Sequence, residues 1–133
     1  MKINGVTISS GTSGSSGSSG TSGTSGINSF PVVEYATTNL VLGTADASEF
    51  LRVSATTTVT VSIPPQSAVT WASDTEILLE QRANGQLSLS GGSGVTLQYP
   101  DTNNAKTRRQ YSVIALKRVS SNVWTVFGDL ENL

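Results

Sequence analysis

The side chains in this sequence that could do acid–base chemistry are two close pairs of carboxylates. Asp46 precedes Glu49 by three residues, and Glu76 precedes Glu80 by four. Two facing carboxylates serve as acid and base in glycoside hydrolysis when their separation suits that reaction. Residues 76 and 80 would share one face of a strand, but this spacing is common on solvated β surfaces and specifies no such separation. We assign neither pair a catalytic role.

One loop offers oxygen ligands of the kind that calcium prefers, from Asp101, Asn103 and Asn104. An EF-hand loop that starts at Asp101 also needs glycine at its sixth position and glutamate at its twelfth. This chain has Lys106 and Ser112 at those two positions. Because Asp and Asn after a proline are explained by their preference for turns, we predict a turn here and no metal site.

The chain contains neither histidine nor cysteine. Without histidine there is no Ser-His-Asp relay, and the commonest transition-metal ligand is missing. Without cysteine there are no disulfides and no thiolate metal sites. The sequence also lacks a Ser-x-x-Lys nucleophile motif. We therefore predict that the protein is not an enzyme and has no catalytic residue, cofactor or metal.

The charge pattern argues against a nucleic-acid or membrane partner. The net charge is −1, and only 13% of the residues are charged, whereas a nucleic-acid binder needs a basic stripe. The basic residues nearest to such a stripe are Lys106, Arg108, Arg109, Lys117 and Arg118. No apolar run approaches the roughly 18 residues of a membrane span. Residues 1–8 lack the apolar core of a signal peptide, so we expect a protein made in the cytoplasm.

Two apolar patterns identify candidates for the core. Strict alternation over residues 57–63 predicts a half-buried strand that ends at a Pro-Pro pair. Residues 123–127 form a similar strand around Trp124. An exposed tryptophan could stack on sugars or bases, but in a small β domain it more often lies in the core or at a subunit interface. The predicted core or trimer-interface residues are Val59, Val61, Ile63, Trp124 and Phe127.

Turn signals divide the rest of the chain into short strands. The predicted reversals lie at residues 83–85 (an Asn-Gly hairpin between strands 76–82 and 86–90), 91–94, 100–109 and 120–122 (between strands 111–119 and 123–127). No segment has a helical stripe. The pattern predicts an all-β fold, a small antiparallel β-sandwich or barrel of about 8–9 strands.

Glycine occupies every third position from residue 11 to residue 26, and serine or threonine fills the places between. The glycines are Gly11, Gly14, Gly17, Gly20, Gly23 and Gly26. This register is typical of three chains packed around a common axis, although proline is absent and a flexible tether is the alternative. Extended, the 16 residues would span about 50 Å.

The segment before the glycine repeat, residues 1–10, has apolar residues at Ile3, Val6 and Ile8. We interpret it as a strand that anchors to the sheet edge of a larger assembly, or alternatively as a disordered terminus. The predicted organisation is therefore an anchor at 1–10, a stalk or linker at 11–26 and a β knob domain at 27–133.

The region from about residue 38 to residue 130 resembles a small β domain that recurs in structural proteins of tailed bacteriophages. The resemblance is carried by residues 40–42, 44–47, 50–53, 59–65, 94–97, 110–117 and 124–130. The Gly-Thr-Ser and Gly-Ser-Ser triplets are similar to those of marine phage virion proteins, including cyanophages. Residues 100–107 depart from the family, which often has a more glycine-rich loop there. The resemblance implies a trimeric, non-enzymatic component of the virion.

We therefore expect a trimeric head fibre or capsid decoration protein, displayed on the virion and made in the host cytoplasm. Its partners would be two further copies of itself and, through the N-terminal segment, the major capsid protein or another virion protein. The alternative is a receptor-binding adhesin of a tail fibre, which would recognise a glycan of the host surface.

Overall fold

Alternating apolar residues build eleven short strands in the part of the chain that the computed structural model describes, residues 29–133. The strands are β1 (Val32–Tyr35), β2 (Asn39–Val41), β3 (Phe50–Val53), β4 (Val59–Ile63), β5 (Glu76–Gln81), β6 (Leu87–Gly91), β7 (Thr96–Gln98), β8 (Asn103–Thr107), β9 (Val113–Ser120), β10 (Val123–Gly128) and β11 (Leu130–Asn132). They form two sheets, so the predicted all-β, two-sheet architecture is confirmed. Within residues 29–133, no helix is long and apolar enough to cross a membrane.

Strands β1 to β9 alternate between the two sheets, so that in the first half of the domain the chain winds as a coil with one sheet on each side. One sheet has the order β1-β3-β5-β9-β10-β7 and the other β11-β8-β6-β4-β2. Strands β1, β3 and β5 run parallel to one another, and so do β2, β4 and β6. Each turn of the coil therefore contributes one strand to each sheet. The later strands β8, β9, β10 and β11 add antiparallel pairs.

The register of the coil shows that two of its corners have the same length. Phe50 pairs with Leu78 in one sheet and Val59 pairs with Leu87 in the other, a spacing of 28 residues in both cases. The corner from β3 to β4 is therefore as long as the corner from β5 to β6. The preceding turn is shorter, because Val32 pairs with Phe50 at a spacing of 18 residues and Asn39 pairs with Thr60 at a spacing of 21.

Several details of the predicted sandwich are wrong. The sheets are mixed rather than antiparallel. They contain eleven strands rather than about 8–9, because the prediction lacks β1 and β11 and because residues 103–107, predicted as a loop, form β8. The segments on either side of residues 83–85 are β5 and β6, which lie in different sheets and form no hairpin. The reversal at 91–94 likewise joins strands of different sheets. Alternation shows which face of a strand is buried but not which strand lies beside it. The hairpin between β9 and β10 is confirmed.

The core lies between the inner faces of the two sheets. Strands β3, β4, β5 and β6 each bury every second side chain, and the largest fully buried side chain is Trp124. Its ring meets that of Trp71 edge to face, with centroids 5.1 Å apart and planes at 85°. The indole N–H of Trp71 donates to the Pro64 carbonyl at 3.0 Å, so this ring is buried with its polar atom paired.

A buried threonine joins the two sheets at one end of the core. The Thr107 hydroxyl accepts from the backbone N–H of Leu87 at 2.9 Å and donates to Oε1 of Gln81 at 2.5 Å. Both Thr107 and Gln81 are almost completely buried. Thr107 and Leu87 belong to the five-stranded sheet and Gln81 to the six-stranded sheet, so one hydroxyl connects both layers.

Replacing Thr107 with valine is expected to lower the free energy of unfolding by about 2 kcal/mol. The methyl group that replaces the hydroxyl leaves a buried N–H and a buried amide oxygen without a partner. Thr107→Ser keeps the hydroxyl and should lose less stability. Urea denaturation of the two variants measures the difference, and equal losses would show that the hydroxyl is not what matters.

Candidate functional site

The two carboxylates of the close pair Asp46 and Glu49 differ in burial. Asp46 is buried at the end of a 3₁₀ turn (Thr44–Asp46). Its Oδ2 accepts from the backbone N–H of Gly43 at 2.8 Å, and its Oδ1 accepts from the hydroxyl of Tyr35 at 2.7 Å. Glu49 is only partly buried. Asp46 therefore holds the corner between β2 and β3 against β1.

The second predicted pair, Glu76 and Glu80, lies on the outer face of the six-stranded sheet, where each carboxylate has a basic partner on the neighbouring strand. Glu80 pairs with Arg52 at 2.6 Å, and Glu76 lies 3.8 Å from Lys117. These pairs connect β5 to β3 and to β9 respectively. Such half-exposed pairs contribute little to stability, but they neutralise the charge of this face.

The oxygen-rich loop is tied to the C-terminal strand. The side-chain amide of Asn104 donates to Oε1 of Glu131 at 2.9 Å, and that of Asn103 donates to the Asn132 side chain at 3.1 Å. Asp101 is exposed. Among residues 29–133, no three potential metal-ligating side chains of His, Cys, Asp or Glu come together.

A second carboxylate near the C-terminus orders the segment between β8 and β9. Asp129 accepts from the Arg108 guanidinium at 2.7 Å and from the Ser112 hydroxyl at 2.6 Å. These hydrogen bonds lower the pKa of the Asp129 carboxyl below its usual range, with the guanidinium as the main cause. Asp129 belongs to the Gly-Asp-Leu sequence of the resemblance, and its position indicates a structural role in the loop.

Strand β1 and strand β2 are both edge strands, and they lie at the same end of the coil. Val32 on β1 and Val41 on β2 are each 60% exposed. An edge strand has a row of backbone groups without a ladder partner and is therefore a place where further chain adds to a sheet. The chain from the glycine repeat enters the domain at this end.

The corners of the first two turns of the coil form an open pocket of about 440 Å³. The side chains that line it are small, and most of them carry a hydroxyl group; they belong to residues 36–38 and 54–57. Sequence reasoning did not single out these residues. The available signal was the Ala-Thr-Thr triplet, which occurs at residues 36–38 and again at 55–57. The repeat of the triplet reflects the stacking of one corner on the next.

The residues predicted for the core or a trimer interface separate into two groups. Val59, Val61, Ile63 and Trp124 are fully buried between the sheets, whereas Phe127 lies on the outer face of β10 with 47% of its surface exposed. The glycine repeat with Gly11, Gly14, Gly17, Gly20, Gly23 and Gly26, and the predicted anchor with Ile3, Val6 and Ile8, lie outside the described residues.

The Tyr35–Asp46 contact has a consequence at high pH. The hydrogen bond to Asp46, with burial and nearby carboxylates, raises the pKa of Tyr35 to about 12 from its ordinary value of 10.0. A raised folded-state pKa stabilises the protein below pH 10, and this contribution is lost as the pH rises from about 10 to about 12.

We expect Tyr35→Phe to reduce the free energy of unfolding at neutral pH by about 1 kcal/mol, because one hydrogen bond is lost. The variant should also lose less stability than the wild type as the pH rises from about 10 to about 12. Urea denaturation at a series of pH values measures both effects, with Tyr99→Phe, which alters an exposed tyrosine, as the control. Parallel pH profiles for wild type and Tyr35→Phe would contradict the assignment.

A scan of protein-family models and searches of curated proteins and of solved structures found no match for this chain. Inference about its function therefore depends on the residues and the geometry described above.

Proposed function

We propose that this protein is a structural component of a tailed-phage virion, displayed on the particle surface as a trimeric head fibre or capsid decoration protein. The proposal rests on the position in the fold at which the chain enters the β domain. The glycine register ends at Gly26, and the described domain begins a few residues later at the open end of a two-sided coil. The resemblance of residues 38–130 to β domains of phage structural proteins is the reason for proposing a phage particle.

The acidic side chains of the domain support a scaffolding role. Four carboxylates accept hydrogen bonds from a corner or from a neighbouring strand: Asp46, Glu80, Asp129 and Glu131. The proposed mechanism is geometric: a stalk holds a weakly charged β head away from the shell. Three copies on one stalk multiply any weak contact through their effective concentration.

The attachment to the particle is assigned in this proposal to residues 1–10. Ile3, Val6 and Ile8 would add as a strand to an edge of the major capsid protein or another virion protein. Residues 11–26 are the spacer in either of their two interpretations, ordered stalk or flexible tether. The partner is thus recognised by main-chain hydrogen bonds and alternate apolar side chains.

Electron cryomicroscopy of particles with and without residues 29–133 tests this function. We expect the deletion to remove the distal density of one surface projection while leaving the capsid intact. A deletion of residues 1–10 should remove the whole projection. Particles that keep every projection after both deletions would overturn the proposal.

The second candidate is the tail-fibre adhesin, and the open corner pocket is the observation that favours it. Its threonine and serine hydroxyls are suited to hydrogen bonding with a sugar. Binding of the full chain to host cells, blocked by host polysaccharide and weakened by Thr37→Val or Thr57→Val, would support this function. Absence of cell binding by the full chain would count against it.

A further inference from the structure

An unbroken apolar row crosses the outer face of the six-stranded sheet. Its members are direct cross-strand partners from five adjacent strands: Val32 on β1, Phe50 on β3, Leu78 on β5, Ala115 on β9 and Phe127 on β10. We call these five residues the apolar row. Val32 and Phe127 are 60% and 47% exposed, Phe50 and Leu78 are half-buried, and Ala115 is covered by its neighbours.

Five charged side chains lie beside the apolar row, and four of them form ion pairs. On one side Arg52 lies between Glu34 and Glu80, and on the other Lys117 faces Glu76. Because the Arg52–Glu80 and Lys117–Glu76 pairs are formed within the sheet, they place little unpaired charge beside the apolar row. An apolar centre with a polar rim is the usual anatomy of a protein–protein interface.

The outer face of the other sheet provides an internal comparison. The corresponding cross-strand row there is Asn39, Thr60, Ser88 and Lys106. Val41, next to this row on the edge strand, is a large exposed apolar side chain of that face. Both faces belong to one domain of the same composition, so an apolar outer face is not a general property of this chain. An apolar row with large exposed side chains at both ends is a candidate interaction site.

The occupant of the apolar row follows from its direction and from the chain that precedes it. The row runs across the strands, along the axis of the coil, and spans about 19 Å over five strands. Its first residue, Val32, lies six residues after Gly26, the last residue of the repeat with glycine at every third position. Six residues reach at most about 20 Å. Three chains joined at that register would therefore bring the starts of their apolar rows close to a common axis.

We propose that the apolar row is the seam of the trimer, in which each copy packs its row against those of the other two copies around the threefold axis. This inference rests on the trimer of the proposed function and adds the face that holds it together. The coil axes would be parallel to the threefold axis, so the three rows meet along their whole length. The serine- and threonine-rich face of the five-stranded sheet would then point outward to solvent.

Lysine substitutions in the full-length chain test the seam. We expect Val32→Lys and Phe127→Lys each to weaken trimerisation at least about tenfold, because the charge is buried three times at the axis. Val41→Lys is the matched control, since Val41 is also a valine on an edge strand at the same end of the coil and is also 60% exposed. Sedimentation velocity gives the oligomeric state, and circular dichroism shows that each variant is folded.

Single cysteines provide a second measurement, because the natural chain has none. Phe127→Cys should form disulfide-linked dimers within the trimer on mild oxidation, whereas Val41→Cys should not. Efficient cross-linking of Val41→Cys with none at residue 127 would overturn the seam.

The outcomes distinguish the seam from the trimer itself. A wild-type trimer that persists in both lysine variants overturns the seam and leaves the proposed trimer intact. A wild-type dimer that both variants dissociate supports the apolar row as a self-contact and overturns the trimer. A wild-type chain that stays monomeric at every concentration overturns both.

Discussion

Replacing Trp124 with alanine is expected to lower the free energy of unfolding by about 4 kcal/mol. Trp124 is the largest side chain that is fully buried between the sheets, and its ring packs edge to face on Trp71. Alanine loses the transfer free energy of the indole and leaves a cavity that two sheets cannot easily close. A domain of this size is typically stable by only about 5–15 kcal/mol, so the loss is a large part of the total.

Urea denaturation monitored by circular dichroism, at one fixed protein concentration, measures this loss. Trp124→Phe keeps an aromatic ring and should lose clearly less stability than Trp124→Ala. Thr125→Ala alters the next residue of β10, which points to the outer face, and should change stability little. A loss below about 1 kcal/mol in Trp124→Ala would contradict the central position of this ring in the core.

Replacing Gly85 with alanine is expected to cost about 3 kcal/mol. The corner that contains Gly85 stacks on the corner of the preceding turn of the coil. A Cβ atom at residue 85 would lie 2.1 Å from the carbonyl oxygen of Thr57 and 2.7 Å from that of Ala55. The N–H of Gly85 also donates to the Ala55 carbonyl at 2.8 Å. Relief of the clash requires the two corners to separate, which breaks that hydrogen bond.

Gly43→Ala is the matched control for Gly85→Ala. A Cβ atom at residue 43 would have no neighbour within 4 Å, and the backbone there is extended. We expect this substitution to be neutral or slightly stabilising, because it only reduces the freedom of the unfolded chain. Urea denaturation of the two variants under the same conditions gives the comparison. Equal stabilities would show that the corners are not in close contact.

Gly85 also shows why an Asn-Gly pair is not always a hairpin turn. A type I′ hairpin turn needs positive φ at both Asn84 and Gly85, and neither residue has it in the structure. The glycine is required because another turn of the coil approaches it closely. The same residue type thus serves a non-local contact that no local pattern distinguishes from a turn.

The apolar row could be predicted only in part. The sequence indicates Phe127 as a core or trimer-interface residue, but it does not single out Val32, Phe50, Leu78 or Ala115. Val32, Phe50 and Leu78 are each the single apolar residue on the outer side of their strand, whereas Ala115 shares that side of β9 with Val113 and Val119. They become one surface only through the registers of four successive strand pairs.

By itself the amino-acid sequence determined most of the strands, their buried faces and the local hairpin between β9 and β10, because alternation with a period of two and short turns act over a few residues. It did not indicate β1, β8 and β11, which have weak alternation. Only the tertiary structure decided which strands are neighbours. Backbone hydrogen bonds between strands are the same whatever the side chains are, so the parallel pairing of residues 28 positions apart depends on how the whole core closes. The coil, its open end and the apolar row all depend on which strands pair with one another.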